Sequence, residues 1–492
     1  MATVVERERK YSGDEGFRLP DLTGCGGVVT MSDATVSDLD AVYWDTDDLL
    51  LLRSGHALRR RTGGHDAGWH LKVGAVGGAR VEHQFPAGAS DEGPPPELVA
   101  LIRGASRGRT VAPAARVINH RRERRLLDAD GRVLAEVAED SVESEDLVSG
   151  VRQAWHEIEV ELVEGDEALL DAVADRLRTA GADPVPVSKS HRALGDRLAQ
   201  ARPAAPDPAV APVLDYLAAQ RDALIGNHPG ALAGDEDAVH DMRVAVRRLR
   251  STLRTFRGLW DRTESEQVRA ELSWLGGRLG PVRDVQVMSA RLADAVRAEP
   301  AELVLGPVAA RLAERFAAEL ATALDGARAA LGSDRYTALL RRLDALVEEP
   351  PAREVRPGWL ARRVRRAVTR FDERLDAALA GGDDDALHES RKAGKRARYA
   401  VEVREATVGA RAAKLVSRFK DLQDVLGAHQ DSVVTRQVLR EQALRAYADG
   451  ENTFTYGLLH ARQAAAADRE LLALPRARDR ARRRKARRWL KR

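Results

Sequence analysis

The chain has 492 residues, 79 of them Lys or Arg and 76 Asp or Glu, for a formal net charge of +3; at about 150 residues per domain that is roughly three domains' worth of polypeptide. One cysteine, Cys25, excludes an internal disulfide and a cysteine-based zinc site, and fits a reducing compartment. No apolar run of the signal-peptide kind opens the chain and none reaches about 20 residues, so a soluble cytosolic protein with no membrane partner is expected.

Residues 1–200 read mainly as strands. Alternation predicts them over Val4–Lys10, Ala57–Thr62, Trp69–Val73, Val81–Phe85, Arg121–Leu127, Val133–Asp140 and Trp155–Val163. Asp128-Ala129-Asp130-Gly131 supplies a hairpin turn. Helices are predicted over Pro95–Arg103 and Glu167–Ala180. Many strands of similar spacing suggest an antiparallel sheet or barrel. Residues 201–212 hold four prolines and are predicted to be a linker. Beyond it an Ala/Leu/Arg composition with 3.6-residue periodicity predicts long amphipathic helices. A Pro-rich break at 349–358 cuts this helical region into about 213–348 and 358–485, and 486–492 is a basic tail.

The near-zero net charge hides an asymmetry. Residues 1–200 carry 25 basic and 35 acidic side chains, or −10; residues 201–492 carry 54 and 41, or +13. An acidic module suits cations and a basic one suits anions such as phosphates. The basic half is also duplicated. His240, Arg243, Arg247, Arg248 and Arg250 recur as His388, Arg391, Lys395, Arg396 and Arg398 at an offset of 148, and Leu279-Gly280 with Asp284 recurs as Leu426-Gly427 with Asp431 at 147. Two motifs in the same order at nearly one offset imply that the helical region duplicates a single bundle.

Strand parity sets the chemistry of the first half. Residues i, i+2 and i+4 share a face, so Glu6, Glu8 and Lys10 point one way, as do Arg59 and Arg61, Glu136 and Asp140, and Glu157, Glu159 and Glu161. Ile158, Val160 and Leu162 form a clean apolar second face. If that face packs outward against helices, the charged face lines an interior. A charged interior is costly unless its charges pair or bind something. Carboxylates bind hard divalent cations through oxygen, and Arg and Lys bind phosphate oxygens. The two together describe a site for a polyanion with its metal.

Glu6-x-Glu8-x-Lys10 resembles the ExExK motif of the CYTH family, the triphosphate tunnel metalloenzymes. Arg59 and Arg61 resemble that family's RxR strand, and Lys72 its next-strand lysine. Arg121, chosen over Arg122 by its spacing to the hairpin, resembles its later arginine. Asp140 resembles the metal-binding acid, Glu157 and Glu159 the ExE strand, and Lys189 the lysine near the domain's end. The resemblance implies an α+β protein that opens on an eight-stranded antiparallel β-barrel enclosing a tunnel. It implies that Glu6, Glu8, Asp140, Glu157 and Glu159 hold one or two Mg2+ or Mn2+, and that Lys10, Arg59, Arg61, Lys72, Arg121 and Lys189 grip a triphosphate. Glu6, Glu8 and Lys10 are the catalytic candidates. Glu136 and Glu161 share the inward parity and are further candidates for the metal. Tyr43 and Trp44 are expected to pack. His56, His65, His70 and His83 are expected at the surface or behind the ligands.

In the second half, His240, Arg243, Arg247 and Arg250, continued by Arg254, make one helical stripe; His388, Arg391, Lys395 and Arg398 make its copy. No acid is expected at i+4 to pair these cations within the stripe, and two facing basic stripes attract an extended polyanion. The motifs resemble the CHAD domain, an all-α pair of four-helix bundles that binds inorganic polyphosphate. That implies polyphosphate binding through these eight side chains and association with polyphosphate granules. Gly280 and Gly427 are expected to terminate helices, with Asp284 and Asp431 as N-caps or partners of the arginines. The Arg-rich stretch from Arg476 either adds phosphate affinity or frays. Nucleic acid would satisfy the same electrostatics, but aromatic platforms for bases are scarce. A homo-oligomer is compatible with the sequence.

The leading expectation is metal-dependent hydrolysis of inorganic triphosphate or a relative, joined to polyphosphate binding. The alternatives are a non-catalytic polyphosphate scaffold, an adenylyl cyclase and a thiamine triphosphatase.

Overall fold

The computed structural model describes residues 2–14, 16–64, 66–76, 79–88, 93–185, 187–200, 207–348, 355–381 and 384–491, with the backbone alone for 2–6, 75–76, 79–80, 384 and 491. The chain divides into two compact units, Met1–Arg202 and Pro203–Arg492.

The first unit carries strands β1 (Ala2–Glu6), β2 (Glu8–Ser12), β3 (Thr30–Met31), β4 (Thr35–Asp45), β5 (Ala57–Thr62), β6 (Gly68–Val76), β7 (Ala79–Pro86), β8 (Ala112–Leu127), β9 (Val133–Asp146), β10 (Arg152–Leu162) and β11 (Asp183–Pro184). Helices α1 (Leu50–Arg53), α2 (Pro96–Ile102), α3 (Glu167–Thr179), α4 (Lys189–Ala193) and α5 (Gly195–Gln200) connect or cover them. The hydrogen-bonded order is β1-β7-β6-β5-β4-β8-β9-β10-β2-β11, with β3 on β8, and every pairing is antiparallel. An eight-stranded closed barrel is therefore met as an antiparallel sheet of eleven strand segments. The expected first strand, Val4–Lys10, is interrupted at Arg7. That break lets one stretch of chain serve two ladders, with Val5 opposite Val81 and Lys10 opposite Glu159.

The eleven-residue β4 lies outside the expected strands. Leu39, Ala41, Tyr43 and Asp45 are its buried positions, but Ser37 and Thr35 continue that face with polar atoms and blur the alternation. The apolar face of β10 packs under a helix as its parity requires: Ile158 and Val160 join Val137, Leu126 and Tyr11 against Leu169, Leu170, Val173 and Leu177 of α3. Asp166 caps α3, its side chain accepting from the Leu169 amide.

The second unit is all helical. Its first repeat holds α6 (Ala211–Gly226), α7 (His228–Ala233), α8 (Glu236–Thr255), α9 (Arg262–Arg297), α10 (Val308–Leu331) and α11 (Asp334–Glu348). Its second holds α12 (Trp359–Gly381), α13 (Asp384–Glu402), α14 (Glu405–Val408), α15 (Ala410–Ala448), α16 (Phe454–Leu471), α17 (Leu474–Arg482) and α18 (Arg484–Arg487), with a 3-10 turn over Arg488–Lys491. Helix α6 starts inside the expected linker, because Pro212 is tolerated in a first turn.

Gly280 and Gly427 do not terminate helices. They lie inside α9 and α15, of 36 and 39 residues. The Arg391 guanidinium passes beside Gly427, where a Cβ would stand in ordinary contact at 3.6 Å. The Arg-rich end is folded rather than frayed: Ala477, Ala481, Trp489 and Leu490 are buried, and Arg482 and Arg487 both pair with Asp372 of α12. No described helix is long and apolar enough to cross a membrane.

Candidate active site and cationic stripes

Residues directly opposite each other in an antiparallel ladder share a face, and the registers of the first unit gather acids and cations on one face by that rule. Asp140 of β9 stands opposite Arg121 of β8 on one side and Glu157 of β10 on the other. Glu159 and Glu161 of β10 stand opposite Lys10 and Glu8 of β2. Tyr43 faces Arg59, and Lys72 faces Glu82. A cavity of about 460 Å3 is lined by Glu8, Lys10, Arg59, Arg61, Lys72, Arg121, Lys189, Glu136, Glu159 and Glu161 of the expected set, whereas Asp140 and Glu157 are not in its lining and lie behind Lys189 and Arg121. Arg122, the neighbour of Arg121, is exposed. Glu6 lies opposite Arg80 at the end of β1, and its side chain is outside the described residues.

At the acidic end, Asp140, Glu157 and Glu159 offer oxygens that all lie within 4.8 Å of one another. Glu8 is outside that group, 3.3 Å from Lys10. Arg121 donates through Nε and Nη2 to the two oxygens of Asp140, at 2.8 and 2.7 Å, and Nη2 also reaches Glu159 at 2.6 Å. Lys189, first residue of α4, donates to Asp140 at 2.8 Å and Glu159 at 2.9 Å and also to Glu157. Trp155 holds the other Glu157 oxygen through its indole N–H at 2.7 Å. Lys10 pairs with Glu159.

Burial sets the first tendency of each group and charge decides the outcome. Burial pushes Glu159 up, but Lys10, Lys189 and Arg121 hold its carboxyl well below the ordinary range. Asp140 is likewise lowered, Lys189 and Arg121 overcoming its burial. Glu157 stays raised, because burial outweighs Lys189. Burial also raises Glu161. Arg61 is pushed down to about 10 by burial and by Arg59 and Arg121 beside it. The result is a pocket whose carboxylates and cations are mutually satisfied yet close enough to exchange partners.

Several lining residues fall outside the expected set. Glu82 is 1% exposed and binds His70 and, at 3.2 Å, Lys72. Asn119, Glu123 and Gln84 share the cavity wall. Glu82 was legible in principle, since it sits within the expected strand Val81–Phe85. His56, His70 and His83 are buried rather than at the surface, and His65 is outside the described residues. Tyr43 lines the cavity as well as packing, while Trp44 packs against Trp69 at 5.4 Å between ring centroids.

In the second unit, α8 and α13 pack against each other and carry the two stripes. Arg243 pairs with Asp284 at 2.9 Å, Arg391 with Asp431 at 4.0 Å, and His388 Nδ1 contacts Gln430 Oε1 at 2.8 Å. The acids of the recurring Leu-Gly motif are thus partners of the stripes, one helix away. The stripes are not free of acids: Glu402, at i+4, lies 3.2 Å from Arg398 and also receives Arg248 at 3.1 Å. Lys395 is lowered to about 7, first by burial and then by Arg391, Arg247, Arg398 and Arg243. Since two of those belong to α8, the stripes face each other. His240 is lowered by burial, then by Arg283 and Arg247.

Comparison with known proteins finds the CYTH domain over residues 5–185 and the CHAD domain over residues 215–440. "Uncharacterized protein Rv2226" of Mycobacterium tuberculosis is 37% identical over 491 residues, which covers 95% of this chain and 94% of that one. Among solved structures, the CHAD domain from the plant Ricinus communis is 27% identical, covers 55% of this chain and 90% of its own, and has a TM-score of 0.44. PptA from Streptomyces chartreusis is 22% identical over 54% of this chain and 97% of its own, with a TM-score of 0.46.

Proposed function

Because the chain belongs to the proteins in which a CYTH domain is followed by a CHAD domain, we propose that its strand-built unit hydrolyses inorganic triphosphate or a related triphosphate with a divalent metal, and that its helical unit binds polyphosphate. The observation that carries the hydrolytic reading is the group Asp140, Glu157 and Glu159, bound by Arg121 and Lys189 and reaching the cationic cavity through Glu159. A site for anions alone gains nothing from three buried carboxylates, and this argues against a purely binding role.

The donor set fits Mg2+ or Mn2+: it is all oxygen, largely buried, and already arranged around a cation, the Lys189 ammonium. Asp140, Glu157 and Glu159 would hold the ion, with Glu8 and Glu6 as further candidates. The metal supplies charge neutralisation at the phosphoryl group and a polarised water. The protein's own groups do the rest. Lys10, Arg59, Arg61, Lys72 and Arg121 bind phosphoryl oxygens and align the chain. Arg121 and Lys189, released from the carboxylates, turn their donors to the anion. Glu82 holds Lys72 in place from behind. The walls formed by Leu39, Ala41 and Val117 exclude bulk water.

The test is phosphate release from triphosphate, thiamine triphosphate, ATP and long-chain polyphosphate with Mg2+ and with Mn2+. The variant E157Q/E159Q keeps the shape of the site and removes two ligand charges, and should lose about 10²–10³-fold in rate. Undiminished release by that variant would refute the metal assignment.

A further inference from the structure

The helical unit contains a second cationic site, which meets the first stripe only at its last member, Arg254. A cavity of about 490 Å3 lies between the end of α8, the first half of α12 and one side of α13. Its size falls in the range of small-molecule sites, roughly 300–1,000 Å3. Six arginines carry the argument: Arg254 and Arg257 from the end of α8 and the turn after it, Arg363, Arg366 and Arg370 from α12, and Arg396 from α13; a seventh, Arg365, donates to the Leu490 carbonyl at 3.1 Å, and Glu373 is the one acid in the lining.

Three observations make this a built feature. Arg363, Arg366 and Arg370 are spaced i, i+3 and i+7, so they share one face of α12, while Leu360, Val364, Val368 and Phe371 bury the opposite face. The frame is stiff: Phe256, after α8, packs 5.9 Å from Trp359, and the Arg363 guanidinium lies 5.4 Å from the same indole. Finally, among the described residues none of the six arginines has a carboxylate within ion-pair distance, whereas the arginines of α17 and α18 that reach α12 find Asp372 and Asp376 there. Arg363 and Arg396 are both lowered by burial and then by other arginines.

The cavity also breaks the internal duplication. Burial aligns α12 on α6 at an offset of 147, placing Leu360, Ala361, Val364 and Phe371 on the buried Val213, Leu214, Leu217 and Leu224. Arg363, Arg366 and Arg370 then fall on Tyr216, Ala219 and Ala223; shifted by one residue, they fall on Asp215, Ala218 and Asp222. Neither alignment puts a cation there. Arg396 projects from a different side of α13 than Arg391, Lys395 and Arg398, since successive residues turn by about 100°. The stripes recur in both halves of the helical unit, whereas the α12 arginines of this cavity have no counterpart in α6.

We propose that the cavity binds a short oligophosphate, a compact run of adjacent phosphoryl groups, independently of the extended polymer bound by the stripes. Uncompensated arginines held in a concave wall are repulsive until an anion fills the space. Guanidinium groups on three walls present paired donors to phosphoryl oxygens. The concavity suits a compact ligand rather than a long chain, and the indole of Trp359 is covered by Arg363 rather than open to a base.

The test uses the full-length protein in EDTA, so that hydrolysis does not interfere, with inorganic triphosphate as the probe. Arginine modification by phenylglyoxal is mapped by mass spectrometry. Triphosphate should slow modification of Arg363, Arg366, Arg370 and Arg396 by about tenfold, as expected for charge-assisted contacts, at concentrations that leave Arg243, Arg247 and Arg391 reactive. Long-chain polyphosphate should protect the stripe arginines. In calorimetry, the R363Q/R366Q/R370Q variant should bind one fewer equivalent of triphosphate and keep its affinity for long-chain polyphosphate. Equal protection by ATP and none by AMP would support recognition of adjacent phosphoryl groups; protection by ATP but not by triphosphate would overturn the inorganic assignment. Unchanged modification with triphosphate, or protection of cavity and stripes only together, overturns the proposal. The footprint decides even if the triple variant does not fold, and it does so whether or not the strand-built unit proves to be a hydrolase.

Discussion

Each half of the chain sets a lysine among charged neighbours, Lys189 buried and Lys395 half-buried, and the neighbourhoods have opposite sign. Lys189 lies against Asp140, Glu157 and Glu159; burial works against its charge, yet the three carboxylates hold the ammonium well above the ordinary lysine range. Lys395 lies among Arg391, Arg247, Arg398 and Arg243 and is pushed down to about 7. The strand-built unit satisfies its charges internally, so an arriving phosphate and metal exchange partners with groups already paired. The helical unit leaves positive charge uncompensated, so an anion there supplies what is missing.

The largest effect that could break this comparison comes from Lys189→Met. It leaves three carboxylates without their ammonium, and breaking a buried ion pair costs about 3–5 kcal/mol, so Tm should fall steeply. Mn2+ should then raise the Tm of the variant more than that of the parent, because the space among the oxygens is open to it. Equal shifts in both proteins would mean that the carboxylates are not a cation site.

Lys395 sharpens the other side. Its amine is lowered in the folded protein relative to the unfolded chain, so between about pH 7 and the ordinary lysine range the unfolded state binds more protons. Stability of the helical unit should therefore rise with pH through that window, with the penalty fully present below about pH 7, and Lys395→Met should flatten the slope. Polyphosphate reverses the tendency by favouring the ammonium. Calorimetry in buffers of different ionisation enthalpy should show proton uptake at pH 8 that fades toward pH 6, and uptake that persists in the Lys395→Met variant would detach the effect from this residue.

The smallest expected effect concerns the basic end. Arg482 and Arg487 are already paired with Asp372, so their replacement by Ala should lower Tm by a few degrees, in line with roughly 0.5–1 kcal/mol for each partly exposed pair. Long-chain polyphosphate affinity should change by less than about twofold. A large loss would move these arginines from the structural group into the anion-binding one.

Much of the strand-built site could be read before any fold was known. Glu157, Glu159 and Glu161 alternate with Ile158, Val160 and Leu162, and a strand has no other way to sort them than onto two faces. Glu82 and Tyr43 were missed for a different reason. Glu82 has only Arg80 and Gln84 beside it on its face, with no second acid to make a pattern, and β4 begins with Thr35 and Ser37, which carry too little contrast to mark a buried face. The glycines 280 and 427 misled because Leu-Gly followed by a polar run resembles a helix end, whereas both lie within the long helices α9 and α15.

The sequence by itself determined which residues share a face. Backbone alternation in strands and the 3.6-residue turn of helices are local, so parity and spacing place Glu8 with Lys10, and Arg243 with Arg247, wherever the elements end up. Only the tertiary structure decided which faces meet. It brought Lys189, from a helix that follows the sheet, onto the carboxylates of β9 and β10. It set the Lys395 amine among arginines contributed by another repeat, and it gathered Arg363, Arg366 and Arg370 beside Arg396 with no acid between them. Such meetings depend on packing distances between elements far apart in the chain, and no local period records those distances.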